Sequence, residues 1–158
     1  MTAAPLNPFQ RWIADAAREV GAAVPAELDP LGLAFEAEGR VARVMPHADE
    51  ALAVIEVMAT SLDDIPEDAV RLLAVQLLRL NHEARFEHGW SIVIDDNDRL
   101  TVTTTVSLSG TRGNMLAEIL YDGIDRAAAL SAIVSGLISA GASAPGTSAI
   151  AGAGAIRG

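Results

Sequence analysis

Residues able to carry chemistry are few in this chain, and their spacing matches no common catalytic pattern. His47, His82 and His88 are its only imidazoles. A zinc-protease helix needs two histidines four residues apart on one face. Asn81-His82-Glu83 and Glu87-His88-Gly89 offer no such second histidine, so these read as surface or helix-end side chains. Asp95, Asp96 and Asp98 cluster as a cation loop does. A calcium loop, however, needs oxygen ligands at alternate positions, a glycine sixth and a glutamate twelfth. Counting from Asp95, Arg99 is fifth, Leu100 sixth and Val106 twelfth, and none of them can serve. No Gly-x-Ser-x-Gly elbow surrounds Ser107, Ser109, Ser131 or Ser135. Gly110-Thr-Arg-Gly113 lacks the spacing and the Lys-Ser/Thr ending of a phosphate loop. The one arrangement left for an enzyme is a metal held by scattered groups such as Asp95, Asp98 and His88. Otherwise the sequence points to binding, with no cofactor.

The elements that would position any site are set first by composition. At 158 residues the chain reads as one domain, with 51% apolar residues and few aromatics, so Ala, Leu, Val and Ile build its interior. Eleven basic against twenty-one acidic residues give a net charge of −10. That balance opposes nucleic acid and anionic lipid, whose binding rests on Lys and Arg, and it suits a solvated surface or a basic partner chain. There is no cysteine, hence no disulfide and no thiolate metal site. No basic-then-apolar leader and no uninterrupted apolar run of membrane-spanning length is present, which makes a cytoplasmic protein the default expectation.

Asn7 and Pro8 open a first helix whose Phe9, Trp12, Ile13, Ala16, Ala17 and Val20 recur at helical steps before Gly21. Residues 31–35 alternate as a strand, Glu38-Gly39 makes a tight turn, and residues 40–45 form a second strand. Residues 51–60 put Leu52, Val54 and Met58 on one side and Ile55 and Val57 on the other, as in a central strand covered on both faces; a helix also fits this run. Pro66, Glu67 and Asp68 start a second helix, ending Leu-Leu-Arg-Leu-Asn81. Trp90, Ile92 and Ile94, then Leu100, Val102, Thr104, Val106 and Leu108, mark a hairpin with one wet face around residues 95–99. A helical stripe follows from about Asn114 to about Ala140, and residues 141–158 are an Ala/Gly/Ser-rich flexible tail.

The second helix is the most informative element. Val70, Leu73, Ala74, Leu77 and Leu80 already make a full apolar face, and Leu72, Val75 and Leu78 carry apolar surface most of the way around. A helix lying on a sheet needs one stripe. The surplus calls for a partner copy or for a three-layer core.

Taken in order, helix, three strands, helix, two strands, helix, with Leu72-Leu73-Ala-Val-Gln-Leu77-Leu78-Arg-Leu80-Asn81, Ser91-Ile-Val-Ile-Asp95, Arg99-Leu-Thr-Val102 and the helix of Leu116, Leu120 and Leu130, the chain resembles the class I type III secretion chaperones, the CesT-like Tir-chaperone family. The resemblance spans residues 7–140 and rests on order and spacing more than on any one motif. It implies an α+β fold, an antiparallel sheet packed by helices, in a homodimer. It further implies a non-enzymatic chaperone, without cofactor or metal, that keeps the amino-terminal segment of a secreted effector extended and delivers it to the secretion ATPase. In that family the middle helix and neighbouring strand form the dimer seam, which falls here on Leu72, Val75, Leu78, Arg79 and Trp90. The first helix and first three strands offer apolar grooves to the effector, which places Leu33, Phe35, Val41, Val44, Leu52 and Val54 among the contacts. The same strand residues also suit a core beneath the first helix. The last helix departs from the family in having no aromatic after Tyr121, and the tail lengthens the chain. YbjN-like regulators share the fold and give the alternative reading.

Overall fold

The structure is a computed structural model describing residues 5–24 and 28–142, with side chains described except at 84–88, 141 and 142. Residues 143–158, nearly all of the expected tail, lie outside the described residues.

Three helices and five strands follow in the expected order: α1 (Pro8–Glu19), β1 (Leu33–Ala37), β2 (Arg40–Pro46), β3 (Leu52–Ser61), α2 (Glu67–His88), β4 (Ser91–Ile94), β5 (Arg99–Ser107) and α3 (Gly113–Ala142). α1 begins with a reciprocal capping box in which Asn7 accepts from the Gln10 backbone and Gln10 accepts from the Asn7 backbone. The strands form one antiparallel sheet in the order β1-β2-β3-β5-β4. The run expected over residues 51–60 is strand, displaced by one residue to Leu52–Ser61, and it lies at the centre of the sheet.

Register assigns each strand residue a face. Leu33, Val44 and Ile55 lie in one cross-strand row and Phe35, Ala42 and Val57 in the next, all toward the helices. Ala34, Arg43 and Glu56, with Met45 beside Val54, point the other way. α3 lies across the inner face of β3, α1 packs on α3, and α2 packs on α3 and β4. Along β3, Ala53, Ile55, Val57 and Ala59 are buried, whereas Leu52, Val54, Glu56 and Met58 are only half-buried. The expectation that both faces of this strand are covered is thus corrected, because all the described helices that pack on the sheet lie on its inner side.

Three boundaries also shift. β1 begins two residues late, because Asp29 folds the preceding segment into a turn by accepting from Leu31 through its side chain and from Gly32 through its carbonyl. α2 runs past Asn81 to His88 and stops where Gly89 adopts φ 71°, a left-handed helix end. α3 takes in Gly141 and Ala142. By length and composition α3 could cross a membrane. Here its Leu116, Ile124, Ala127, Leu130 and Val134 are buried in the core.

Both tryptophans fix α3. The Trp12 indole donates to the Thr111 carbonyl at 2.8 Å and the Trp90 indole to Asp122 at 2.8 Å, where Arg126 also donates at 2.9 Å. At the start of the helix the Gly113 amide donates to Glu19 at 2.6 Å. Trp90 fits only because residue 123 has no side chain: a Cβ there would lie 2.6 Å from Trp90 Cη2 and 3.0 Å from Val57 Cγ2. A Cβ at Gly136 would meet nothing within 4 Å. Alanine in place of a helical glycine gains about 1 kcal/mol from propensity alone, while overpacking a core costs about 1–3 kcal/mol. Gly136→Ala is therefore expected to raise the urea midpoint and Gly123→Ala to lower it. Shifts of the same sign would remove the tryptophan slot from the account of the core.

Candidate functional site

Two unsatisfied apolar surfaces stand out, one on α2 and one beside β1. On α2, Leu73 and Leu77 turn into the core, while Leu72, Val75 and Leu78 are 51%, 65% and 73% exposed. Their spacing of three residues lines them along one side of the helix. Arg79 lies on the same side, exposed and paired with Glu83 at 3.3 Å. Four of the five residues expected at a seam thus share a surface. Trp90 does not join them, being 3% exposed and seated against Gly123. It belongs to the core between the sheet and α3.

The six residues expected to meet an extended partner divide between the two faces of the sheet. Leu33, Phe35 and Val44 face the helices and, with Ile13, Ala16 and Ala17 of α1, Val20 at its C-cap, and Leu116, Ala117 and Leu120 of α3, line an almost wholly apolar groove of about 140 Å³. Val44 is 1% exposed and forms part of its floor. The sequence placed Ile13, Ala16, Ala17 and Val20 on the apolar stripe of the first helix and gave that helix a share of a groove, but named none of the α1 and α3 residues as contacts. Their signal was Ala16-Ala17 within an otherwise large-residue stripe, where two small side chains leave room between helix and sheet.

The groove lies beside an edge strand. Glu38 and Gly39 have φ of 53° and 72°, both left-handed, as in the two-residue turns that join strands in tight register. The alternation of an antiparallel pair then points the Ala37, Phe35 and Leu33 backbone groups at β2 and those of Ala34 and Glu36 outward. An added strand would find main-chain partners at Ala34 and Glu36 and an apolar slot alongside.

Val41, Leu52 and Val54 lie on the open face. Val41 lines a second cavity, of about 130 Å³, with Arg43, Glu56, Met58, Asp95, Arg99 and Thr101. Asp95 here holds the β4–β5 turn: it accepts from the Asn97 and Arg99 amides at 2.9 and 3.0 Å and pairs with the Arg99 guanidinium at 2.8 Å. Asp98 sits at the turn with φ 52°. The Asp95 carboxylate therefore holds the hairpin, Asp98 contributes its backbone conformation, and the His88 side chain lies outside the described set.

The Arg99 backbone N–H is the largest influence holding the Asp95 carboxyl below its ordinary value of 3.8; partial desolvation opposes it, and the Arg99 side chain and the Asn97 N–H reinforce it. A carboxylate with a depressed folded-state pKa stabilises the fold above its unfolded value and loses that contribution as pH falls through the folded one. The stability difference between the wild type and Asp95→Asn is thus expected to be flat above about pH 5 and to shrink below about pH 4. Urea midpoints across that range test it, and a difference unchanged down to about pH 3 would count against the assignment.

Neither a protein-family model nor a curated protein sequence matches the chain. Solved structures do. The type III secretion chaperone SycH of Yersinia pestis, in complex with a stable fragment of YscM2, is similar at TM-score 0.61 with 19% identity, over 78% of this chain and 99% of that one. SchA in its chaperone–effector complex with HopA1 gives 0.55 with 11% identity, over 85% and 99%. YbjN of E. coli gives 0.50 with 17% identity, over 90% and 95%. The chain thus has the α+β fold of the type III secretion chaperones, with its five-stranded antiparallel sheet and three helices.

Proposed function

We propose that this protein is a cytoplasmic, non-enzymatic chaperone of the class I, CesT-like kind. It pairs as a homodimer through α2, binds the amino-terminal region of a secreted effector in extended form, and hands it to the secretion ATPase. The observation that carries this reading is the fold match to chaperones solved with bound partners, which spans 99% of the chain of SycH. Two features of this chain support it independently. Leu72, Val75 and Leu78 give α2 an apolar stripe that one subunit leaves in water, the kind of surface that marks an interaction site. The free edge of β1 and its groove suit an extended client, with backbone groups giving affinity and the slot taking alternate side chains. The acidic surface, at net charge −10, favours a basic client segment.

Light scattering on the eluting protein is expected to give twice the chain mass. Because Leu78 is 73% exposed in one subunit, Leu78→Glu should leave the subunit folded, with unchanged circular dichroism, and weaken pairing by about 2 kcal/mol or more, as for an interface hot spot. A wild-type monomer would remove the seam. Co-purification from the native host tests the client: a secreted protein held through its amino-terminal region supports the proposal. Val20→Glu, at the exposed rim of the groove, should reduce that capture while leaving the dimer mass unchanged.

A second reading, a regulator of the same fold, is favoured by the YbjN match, which covers 90% of this chain against 78% for SycH. It predicts that the captured partner is not an exported protein.

A further inference from the structure

A five-stranded open sheet has two edges, and in this molecule they are not equivalent. β1 ends the sheet on one side and β4 on the other. The Asp95 amide donates to the Arg99 carbonyl at 2.9 Å across the hairpin, so alternation directs Ser91 and Val93 at β5 and turns Ile92 and Ile94 outward. An outward N–H is a template for another chain. At Ile92 that template is already filled, because its N–H donates to the side-chain oxygen of Asn81 on α2 at 2.8 Å. At the outward positions of β1, Ala34 and Glu36, no described side chain bonds the N–H.

We propose that Asn81 is a specificity-determining residue that closes the β4 edge, so that the sheet accepts an added strand only at β1. β4 has four residues and therefore two outward donors, Ile92 and Ile94. Capturing the first leaves no ladder of alternating donors and acceptors for an incoming strand to follow. The chemistry selects the residue: the side chain must be short enough to stay on α2 and must present an acceptor to a backbone donor. Asn and Asp meet both conditions, and Ala or Leu does not. This role belongs to Asn81 of the Leu-Leu-Arg-Leu-Asn run, which neither the exposed stripe nor the core of α2 uses. It also holds irrespective of the client, since it concerns which edge of the free protein is available.

The test compares wild type, Asn81→Ala and Asn81→Asp by residue-resolved amide hydrogen exchange and by sedimentation velocity over a range of protein concentrations. In the Ala variant the Ile92 amide is expected to exchange about tenfold faster relative to Val93, the scale of one lost hydrogen bond. That variant is also expected to form species larger than the wild type's own, growing with concentration. Asn81→Asp, which keeps the acceptor, should match wild type in both. A role confined to holding α2 on β4 would lower the thermal midpoint of the Ala variant without new species. Unchanged Ile92 exchange in the Ala variant, wild-type sedimentation at every concentration despite faster exchange, or an Asp variant that behaves like Ala would each overturn the proposal.

Discussion

The seat of α3 on the inner face of β3 governs the rest of this molecule. α3 is 30 residues long and lies against the row of Ala53, Ile55, Val57 and Ala59 that runs down the centre of the sheet. Small and β-branched residues there let the helix approach closely, and Gly123 admits Trp90 between helix and strands. Once α3 holds the middle, α1 packs along its flank, and α2 is left to pack on α3 and β4 at the side of the sheet. α2 carries more apolar surface than this position can bury. The exposed line of Leu72, Val75 and Leu78 is therefore a consequence of helix placement, as much as of the sequence of α2.

Much of this was legible in advance, and the exceptions share a cause. Period-two alternation separated Leu52, Val54 and Met58 from Ile55 and Val57, and the surplus apolar surface read from the sequence of α2 reappears as the exposed Leu72, Val75 and Leu78. What a strand's alternation lacks is any sign of which side the helices will cover. Six candidate contacts chosen from β1, β2 and β3 consequently divided three and three between the groove and the open face. The groove itself depended on residues from α1 and α3, whose mutual approach is a tertiary fact. Trp90 shows the same limit from another side. Its alternation with Ile92 was plain, but its burial depends on a glycine 33 positions later. Gly123 was visible within the helical stripe, but so was Gly136, whose missing side chain leaves open space, and the sequence does not distinguish the two.

The ends of elements obeyed local chemistry more closely than hydrophobic pattern did. α2 outran its apolar motif because no breaker follows Asn81 until Gly89 takes a left-handed conformation. β1 started late because Asp29 captures the backbone of the two residues after Pro30. The acidic turn after β4 is another case. A cluster of carboxylates that suggests a cation site is, at Asp95, a network of backbone N–H and Arg99 donors. Charge there is consumed in holding a hairpin, whose far side lines the cavity on the open face.

A one-layer cover leaves a sheet exposed on its other face and at both edges, and that openness is hazardous unless it is rationed. On the open face Arg43, Glu56 and the hydroxyls of β5 interrupt the apolar Val41, Leu52, Val54 and Met58. The β4 edge is short, lies under α2 and has one donor satisfied by Asn81. Among the described residues, only β1 combines outward backbone groups that no side chain bonds with an adjoining apolar groove. The two edges of the sheet thus differ in kind: at β4 one outward donor is taken by a side chain, while at β1 the outward backbone groups lie beside apolar side chains.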